Sequence, residues 1–343
     1  MVSNLTNSQS SSSQADQNPQ ASQAHAQSTR RPAPEATLAI LGAGAWGQAL
    51  ATIARHKNHQ VRLWSRSSTE SLEEVLADID MLVSAIPMKG VVATAAKIQE
   101  IGLPDYVTII TATKGLDPET TRTPSQIWEA DFPNHPIVVL SGPNLSKEIE
   151  QKLPAATVVS STDMAAAEEV QTVFSSSLFR VYTSPDPIGT ELGGTLKNVI
   201  AIAVGVCDGL KLGTNAKSAL ITRALTEIIR IGTHLGGQTE TFFGLSGLGD
   251  MLATCSSILS RNYRVGYGLA QGKKLEQILE ELQSTAEGVN TANVLVKIAN
   301  REQIPIPICR QVYRLLNHKI TPQEAVEALM DRDLKPEFCD DLF

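Results

Sequence analysis

Aromatic residues are scarce, at 4% of the 343-residue chain, and basic residues do not prevail: 29 Lys and Arg face 36 Asp and Glu, a formal charge of −7. A nucleic-acid or anionic-membrane partner needs a basic face, and neither a basic nor an aromatic stripe is present, so neither partner is expected. Cysteine is also sparse. Cys207, Cys255, Cys309 and Cys339 are scattered without a Cys-x-x-Cys pair. They read as free thiols of a reducing, cytoplasmic compartment, and no metal is expected. No apolar run reaches the roughly 18 residues a membrane span requires, so stable membrane insertion is not expected. Residues 1–35 lack aromatics altogether and are rich in Ser, Gln, Asn and Ala. Such a segment buries too little apolar surface to offset its ordering entropy and reads as a disordered tail. It has no secretory apolar region, and Arg30 and Arg31 leave a transit peptide as the lesser alternative.

What is present suits two folded domains. Hydrophobic residues make up 42% of a chain longer than one domain usually needs. The boundaries fall at 36–186 and 187–343. The first domain opens with TLAILGAGAWGQALATIARH. Thr37 to Leu41 reads as a strand buried on both faces, and Ala49 to Arg55 as a helix. Between them stands Gly42-Ala-Gly44-Ala45-Trp46-Gly47, the G-x-G-x-x-G spacing. Gly42 permits the tight turn, Gly44 lets a pyrophosphate approach the backbone, and Gly47 lets helix and strand pack closely. The anion would sit on the open N–H groups of the helix N-terminus. The second strand ends in Ser65-Arg66-Ser67-Ser68, where an NAD enzyme carries a carboxylate for the ribose 2′-hydroxyl. A guanidinium there suits a 2′-phosphate, so NADP(H) is favoured and NAD(H) stays possible; the plain alternative is a solvated arginine.

Apolar runs at Met81–Ile86, Val107–Ala112, Ile137–Leu140, Ala156–Ser160 and Phe179–Thr183 alternate with helical stretches. They predict an α/β Rossmann domain with a doubly wound, largely parallel sheet whose last strands run mixed. Ligands bind beyond the carboxyl ends of such strands. That places Lys114, Gly142 and Asn144 at the crevice, although Lys114 alone also reads as a solvated loop lysine. After Pro187 the pattern becomes all-α: Glu191–Leu210, Ala216–Leu235, Asp250–Ser257, Tyr263–Gln271, Leu275–Gln283, Thr291–Asn300, Ile308–Leu316 and Pro322–Asp331. Lys197 lies on the first of these, amid Val199, Ile200, Ala201 and Ile202, with no acid within a helical turn; Glu191 is six positions back. A buried lysine needs a partner. Asp250, in GLSGLGDMLATC, offers a carboxylate or merely an N-cap. Ser260-Arg261-Asn262 suits a phosphate or a surface loop. Glu287 reads equally as a helix-start acid.

GAGAWG, TATKG, SGPN, GTLKN, GLSGLGD, SRN and AEGVNTA occur in that order over about 250 residues. The series resembles the glycerol-3-phosphate dehydrogenases of the bacterial NAD(P)-dependent type, over roughly 36–335. The resemblance implies reduction of dihydroxyacetone phosphate to sn-glycerol 3-phosphate, which feeds glycerophospholipid synthesis; the apolar helical domain makes a homodimer the expectation. It implies Lys197 as the general acid/base, with Lys114 a substrate and cofactor contact and Asp250 and Thr254 beside the reacting carbons. It implies Ser260, Arg261 and Asn262 around the substrate phosphate, and Gly142, Asn144 and Ser146 on the loop after a strand. Gly42, Gly44, Ala45, Trp46, Gly47, Arg66, Ser146, Arg261 and Glu287 fall at cofactor positions.

Three features depart from the family pattern. Asn144 and Ser146 replace a hydroxyl residue and an alanine, IPMKG replaces a Pro-Ser element, and the segment from Arg66 to Met81 is short. A more open adenine side is expected. In this reading Lys197 is lowered by burial and by Lys114, opposed by Asp250. The rivals are a ketopantoate- or 3-hydroxy-acid-type reductase, disfavoured by the phosphate cluster, and a cofactor sensor, disfavoured because Lys197 and Asp250 are both present.

Overall fold

The computed structural model describes residues 35–283, 285–334 and 336–337. The tail expected at 1–35, all but Glu35, lies outside the described residues, as do Ser284 and Cys339. Seven short apolar segments form one sheet: β1 (Thr37–Leu41), β2 (Gln60–Trp64), β3 (Met81–Ser84), β4 (Thr108–Thr111), β5 (Ile137–Ser141), β6 (Ala155–Ser160) and β7 (Phe179–Ser184). Helices connect them: α1 (Ala45–His56), α2 (Leu72–Leu76), α3 (Val91–Ile101), α4 (Pro124–Asp131), α5 (Ser146–Glu150) and α6 (Met164–Phe174).

The strand order is β2-β1-β3-β4-β5-β6-β7. All neighbours run parallel except β5 and β6, which pair antiparallel. The expected mixed end is therefore a single reversal. Strands β3 and β4 are buried at every position, as a sheet covered by helices on both faces requires. The chain leaves β1 toward β2 and returns to β3 on the other side. This switch opens a crevice at the carboxyl end of β1, where Gly42 stands. The strand at Met81 stops at Ser84, short of the expected Ile86, because Pro87 follows and lacks an N–H to continue the ladder.

The second half is helical: α7 (Pro187–Gly209), α8 (Gly213–His234), α9 (Thr239–Phe243), α10 (Asp250–Ser256), α11 (Arg261–Ala270), α12 (Leu275–Leu282), α13 (Glu287–Arg301), α14 (Pro307–Leu316) and α15 (Pro322–Met330). Helix α7 begins four residues before the expected Glu191. Asp186 caps it by accepting from Gly189 N at 2.8 Å, and Pro187 sits in the first turn, where a missing N–H is harmless. Helix α13 likewise begins at Glu287 rather than Thr291. Helix α7 is the axis of the helical half and packs against α8, α10, α11, α13 and α14. It is also long and apolar enough to span a membrane, which the sequence reading did not anticipate. However, 89% of its most apolar 18-residue window is buried within the protein, and it carries the buried Glu191 and Lys197.

Candidate active site

Two close approaches bring α7 to the sheet. A Cβ at Gly194 would meet Ser141 Oγ at 2.3 Å, and one at Gly193 would meet Ser246 O at 3.0 Å. Only hydrogen at these positions lets α7 reach both the end of β5 and the turn before α10. That turn, Leu245–Gly249, is one wide π turn with Gly249 N donating to Gly244 O. It runs directly into α10, so Asp250 has helical φ and ψ (−71°, −31°) and is not an N-cap. The N-cap reading of Asp250 is thereby corrected: the π turn supplies the preceding helical residues, and the carboxylate is free to point inward.

There Asp250 joins two lysines. Lys197 Nζ lies 2.8 Å from Asp250 Oδ1, and Lys114 Nζ lies 2.5 Å from Oδ2. Lys197 also donates to Thr254 Oγ1, one turn along α10. Lys114 reaches the Gly142 carbonyl at 3.4 Å. Lys197, Asp250 and Thr254 are 6%, 2% and 4% exposed, so one ammonium and its carboxylate are held away from water, while the Lys114 ammonium on the other carboxylate oxygen is half-buried. Burial draws the Lys197 ammonium down from 10.5 to about 8; Asp250 pulls it back up and the Lys114 charge lowers it further. Burial, aided by the Asp250 and Asp208 charges and opposed by Lys197 and Lys217, pushes the adjacent Cys255 thiol up to about 12, so this cysteine is no nucleophile.

The N-terminal ends of α11 and α13 close the site. Asn198, next to Lys197, accepts from Asn262 Nδ2 at 2.9 Å, and Asn262 Oδ1 accepts from Gly288 N at 3.0 Å. Ser260 caps α11 by accepting from Tyr263 N. Of the Ser-Arg-Asn triplet, then, two side chains have internal partners, and the exposed Arg261 presents its guanidinium at the helix start. Glu287 is hydrogen-bonded to the Met88 backbone; burial raises it, and Arg261 and Lys89 draw it down. It also lies beside Gly115.

The crevice at β1 fits a dinucleotide. A Cβ on Gly42 would strike Ala85 O at 2.5 Å and one on Gly47 would strike Gly42 O, whereas one on Gly44 would meet nothing within 4 Å. Two glycines thus serve packing, and the third leaves open space before α1. Helix α1 has no side-chain cap at Gly44 and no acid in its first turn, which leaves the N–H groups at Ala45 and Trp46 free for an anion. Trp46 Nε1 donates to Ala112 O at 3.2 Å and ties α1 to the end of β4. Arg66 is exposed, among Ser65, Ser67 and Ser68 hydroxyls that bond one another. Asn144 donates to Thr157 Oγ1 at 2.9 Å, whereas its Oδ1 and the Ser141 hydroxyl are buried without partners. Ser146 opens the short α5, which packs against α1.

A family model for the C-terminus of NAD-dependent glycerol-3-phosphate dehydrogenase matches residues 186–327, and the corresponding N-terminal model matches 37–72 and 67–167. The chain belongs to the NAD-dependent glycerol-3-phosphate dehydrogenase family. The two N-terminal stretches meet at the short segment after Arg66. The glycerol-3-phosphate dehydrogenase [NAD(P)+] of Acaryochloris marina is 68% identical over 88% of this chain and 98% of its own. That of Synechocystis is 65% identical over 88% and 96%. The crystal structure of glycerol-3-phosphate dehydrogenase from Coxiella burnetii superposes with a TM-score of 0.84 at 32% identity, covering 88% of this chain and all of that one.

Several residues that shape the site escaped the sequence reading. Asn198 and Ser141 lie inside the quoted motifs, yet nothing in the motifs shows that one bridges to Asn262 and the other stays unpartnered. In the sequence Glu191 reads only as a distant acid, six positions before Lys197. It is 2% exposed and turned to a different group, Ser125 on α4, whose N–H donates to it at 3.0 Å.

Proposed function

We propose that this dehydrogenase reduces dihydroxyacetone phosphate to sn-glycerol 3-phosphate with Lys197 as the proton donor, and that it feeds glycerophospholipid synthesis. The observation that carries the reading is the Lys114–Asp250–Lys197 arrangement, with both ammonium groups on one carboxylate. Reducing a ketone requires hydride at carbon and a proton at oxygen. When bound, the reduced nicotinamide supplies the hydride. The Gly42–Gly47 turn, Arg66, Ser146 and Glu287 would hold this cofactor.

Lys197 donates its proton as alkoxide character develops on the substrate oxygen. Asp250 and Thr254 fix the ammonium's direction. Lys114, held on the far side of Asp250, adds positive charge where the oxygen gains negative charge. The depressed Lys197 proton affinity, at about 8, suits transfer in both directions near neutral pH. Arg261, the Asn262 amide and the N-terminus of α11 bind the phosphate remote from the reacting carbon. That binding positions the carbonyl. Gly142 and Asn144 line the same crevice; Gly142 acts through its carbonyl on Lys114.

Arg66 and its serine neighbours favour NADP(H) over NAD(H). Exposed Leu252, Ile258 and Leu259 suit a homodimer, and the free Cys207, Cys255 and Cys309 suit a cytoplasmic enzyme. The sheet and helical halves, parted at Asp186, act as cofactor and substrate domains. The test is loss of reduced-cofactor absorbance with dihydroxyacetone phosphate, comparing NADPH with NADH. Fast oxidation favouring NADPH supports both substrate and cofactor assignments. Equal rates remove the preference alone. No oxidation by a folded protein that binds NADPH rejects the substrate.

A further inference from the structure

The loop from Gly115 to Ser125 joins the Lys114 strand end to α4, and the helical half grips it at four points. Gly115 N donates to Thr195 Oγ1 at 3.1 Å. Ser125 N and Oγ both donate to the Glu191 carboxylate. Between these ends, Asn290 Nδ2 donates to Leu116 O at 2.9 Å and Lys297 Nζ to Pro118 O at 3.0 Å. Thr195 is fully buried and Glu191 nearly so. They lie one helical turn apart on the same face of α7. Thr195 is two residues from Lys197, and the N–H it receives belongs to the residue after Lys114.

We propose that Glu191 and Thr195 are positioning residues that clamp the two ends of this loop and so hold Lys114 in register with Lys197 across Asp250. This rests on the reading of the two lysines given above. Lys114 reaches Asp250 at 2.5 Å from a backbone whose next amide is fixed by Thr195. A shift of that backbone by an ångström lengthens or redirects the contact and moves positive charge relative to the reacting oxygen. Glu191 adds the second fixed point. Its hydrogen-bond partners, Ser125 and Thr123, are neutral, so no opposite charge compensates the buried carboxylate. Packing alone is served better by an apolar residue of similar volume. A carboxylate, however, accepts from a backbone N–H and a hydroxyl at once, which fixes the first turn of α4 in both position and direction.

The experiment compares wild type with Thr195→Val, Glu191→Gln and Lys197→Ala in the NADPH and dihydroxyacetone phosphate assay. NADPH dissociation constants and thermal midpoints at pH 8 are measured alongside. Thr195→Val keeps shape and removes the acceptor; Thr195→Ser restores it. Thr195→Val and Glu191→Gln are expected to lose about tenfold or more in kcat, since ångström-scale misplacement costs up to about 100-fold. NADPH affinity and thermal midpoint should hold, and Thr195→Ser should recover most of the rate. If both folded variants keep wild-type kcat while Lys197→Ala loses its activity, the clamp is wrong and the lysine reading stands. Loss of rate only in proportion to loss of folded protein, or no recovery with Thr195→Ser, also overturns the clamp. If Lys197→Ala itself keeps turnover, the reading beneath the clamp fails with it.

Discussion

Lys197 Nζ sits 2.8 Å from Asp250 Oδ1, across 53 positions of sequence. Helix α7 supplies the ammonium and α10 the carboxylate, and Gly193, where a Cβ would meet Ser246 O at 3.0 Å, lets α7 approach the turn before α10. The partner that the apolar stretch around Lys197 demanded comes from this contact.

The direction of the Lys197 shift yields a pH signature. The donor must be protonated to reduce the ketone and deprotonated to accept from the alcohol. With the ammonium lowered to about 8, reduction should fall as pH rises through about 8, and glycerol 3-phosphate oxidation should rise over the same interval. Steady-state kcat in both directions across that range checks this. Profiles that move together contradict it.

Asp250→Asn removes the only carboxylate between the two ammonium groups. Two like charges then face each other in a buried site, and Lys197 falls further below about 8. The expected result is a loss of about 100-fold or more in kcat for reduction, with the fall in the pH profile displaced to lower pH. Pre-steady-state and steady-state rates on the purified variant measure both.

Arg261→Ala should raise KM for dihydroxyacetone phosphate with a smaller effect on kcat. The charge-assisted contact it removes binds ground state and transition state alike; at about 1.5–3 kcal/mol it corresponds to a rise of about 10- to 100-fold. Arg66→Ala should raise KM for NADPH about tenfold or more and leave KM for NADH within about twofold, because only the former carries the 2′-phosphate.

Glu191 gives a stability prediction. Burial raises its carboxyl from 4.5 to about 7, so between these values the folded chain binds more protons than the unfolded one. Stability contributed by this group is present below pH 4.5 and is lost as pH rises to about 7. At about 1.4 kcal/mol per pH unit, the displacement from 4.5 to about 7 costs about 3 kcal/mol. Glu191→Gln should flatten the stability profile across that window and should not lower the thermal midpoint at pH 8. Urea unfolding of both proteins between pH 4.5 and 8 measures the difference in slope.

Much of this site could be read from the chain because its chemistry stands on local motifs. Gly42, Gly44 and Gly47 announce a turn that only a strand and a helix can flank. Lys197 in an apolar helix announces a missing anion. What stayed hidden depends on contacts remote in sequence. The Gly193-Gly194 pair weakens a helix locally, and its use shows only in the fold, where Ser246 and Ser141 approach those two positions of α7. Asp250 reads as a cap because the π turn before it has no sequence signature of its own. Ser260 and Asn262 read as phosphate ligands from composition, while their side chains also cap α11 and bridge Asn198 to Gly288. The mixed end of the sheet was expected, but which strand reverses was not legible, since a buried apolar strand looks the same in either direction.

The most direct test of the central claim is kcat of Lys197→Ala for dihydroxyacetone phosphate reduction, on protein shown by circular dichroism to be folded and by fluorescence to bind NADPH. Removal of the proton donor predicts a loss of about 10² to 10⁴-fold with little change in NADPH affinity. Turnover near that of wild type would contradict the assignment of Lys197 as the acid.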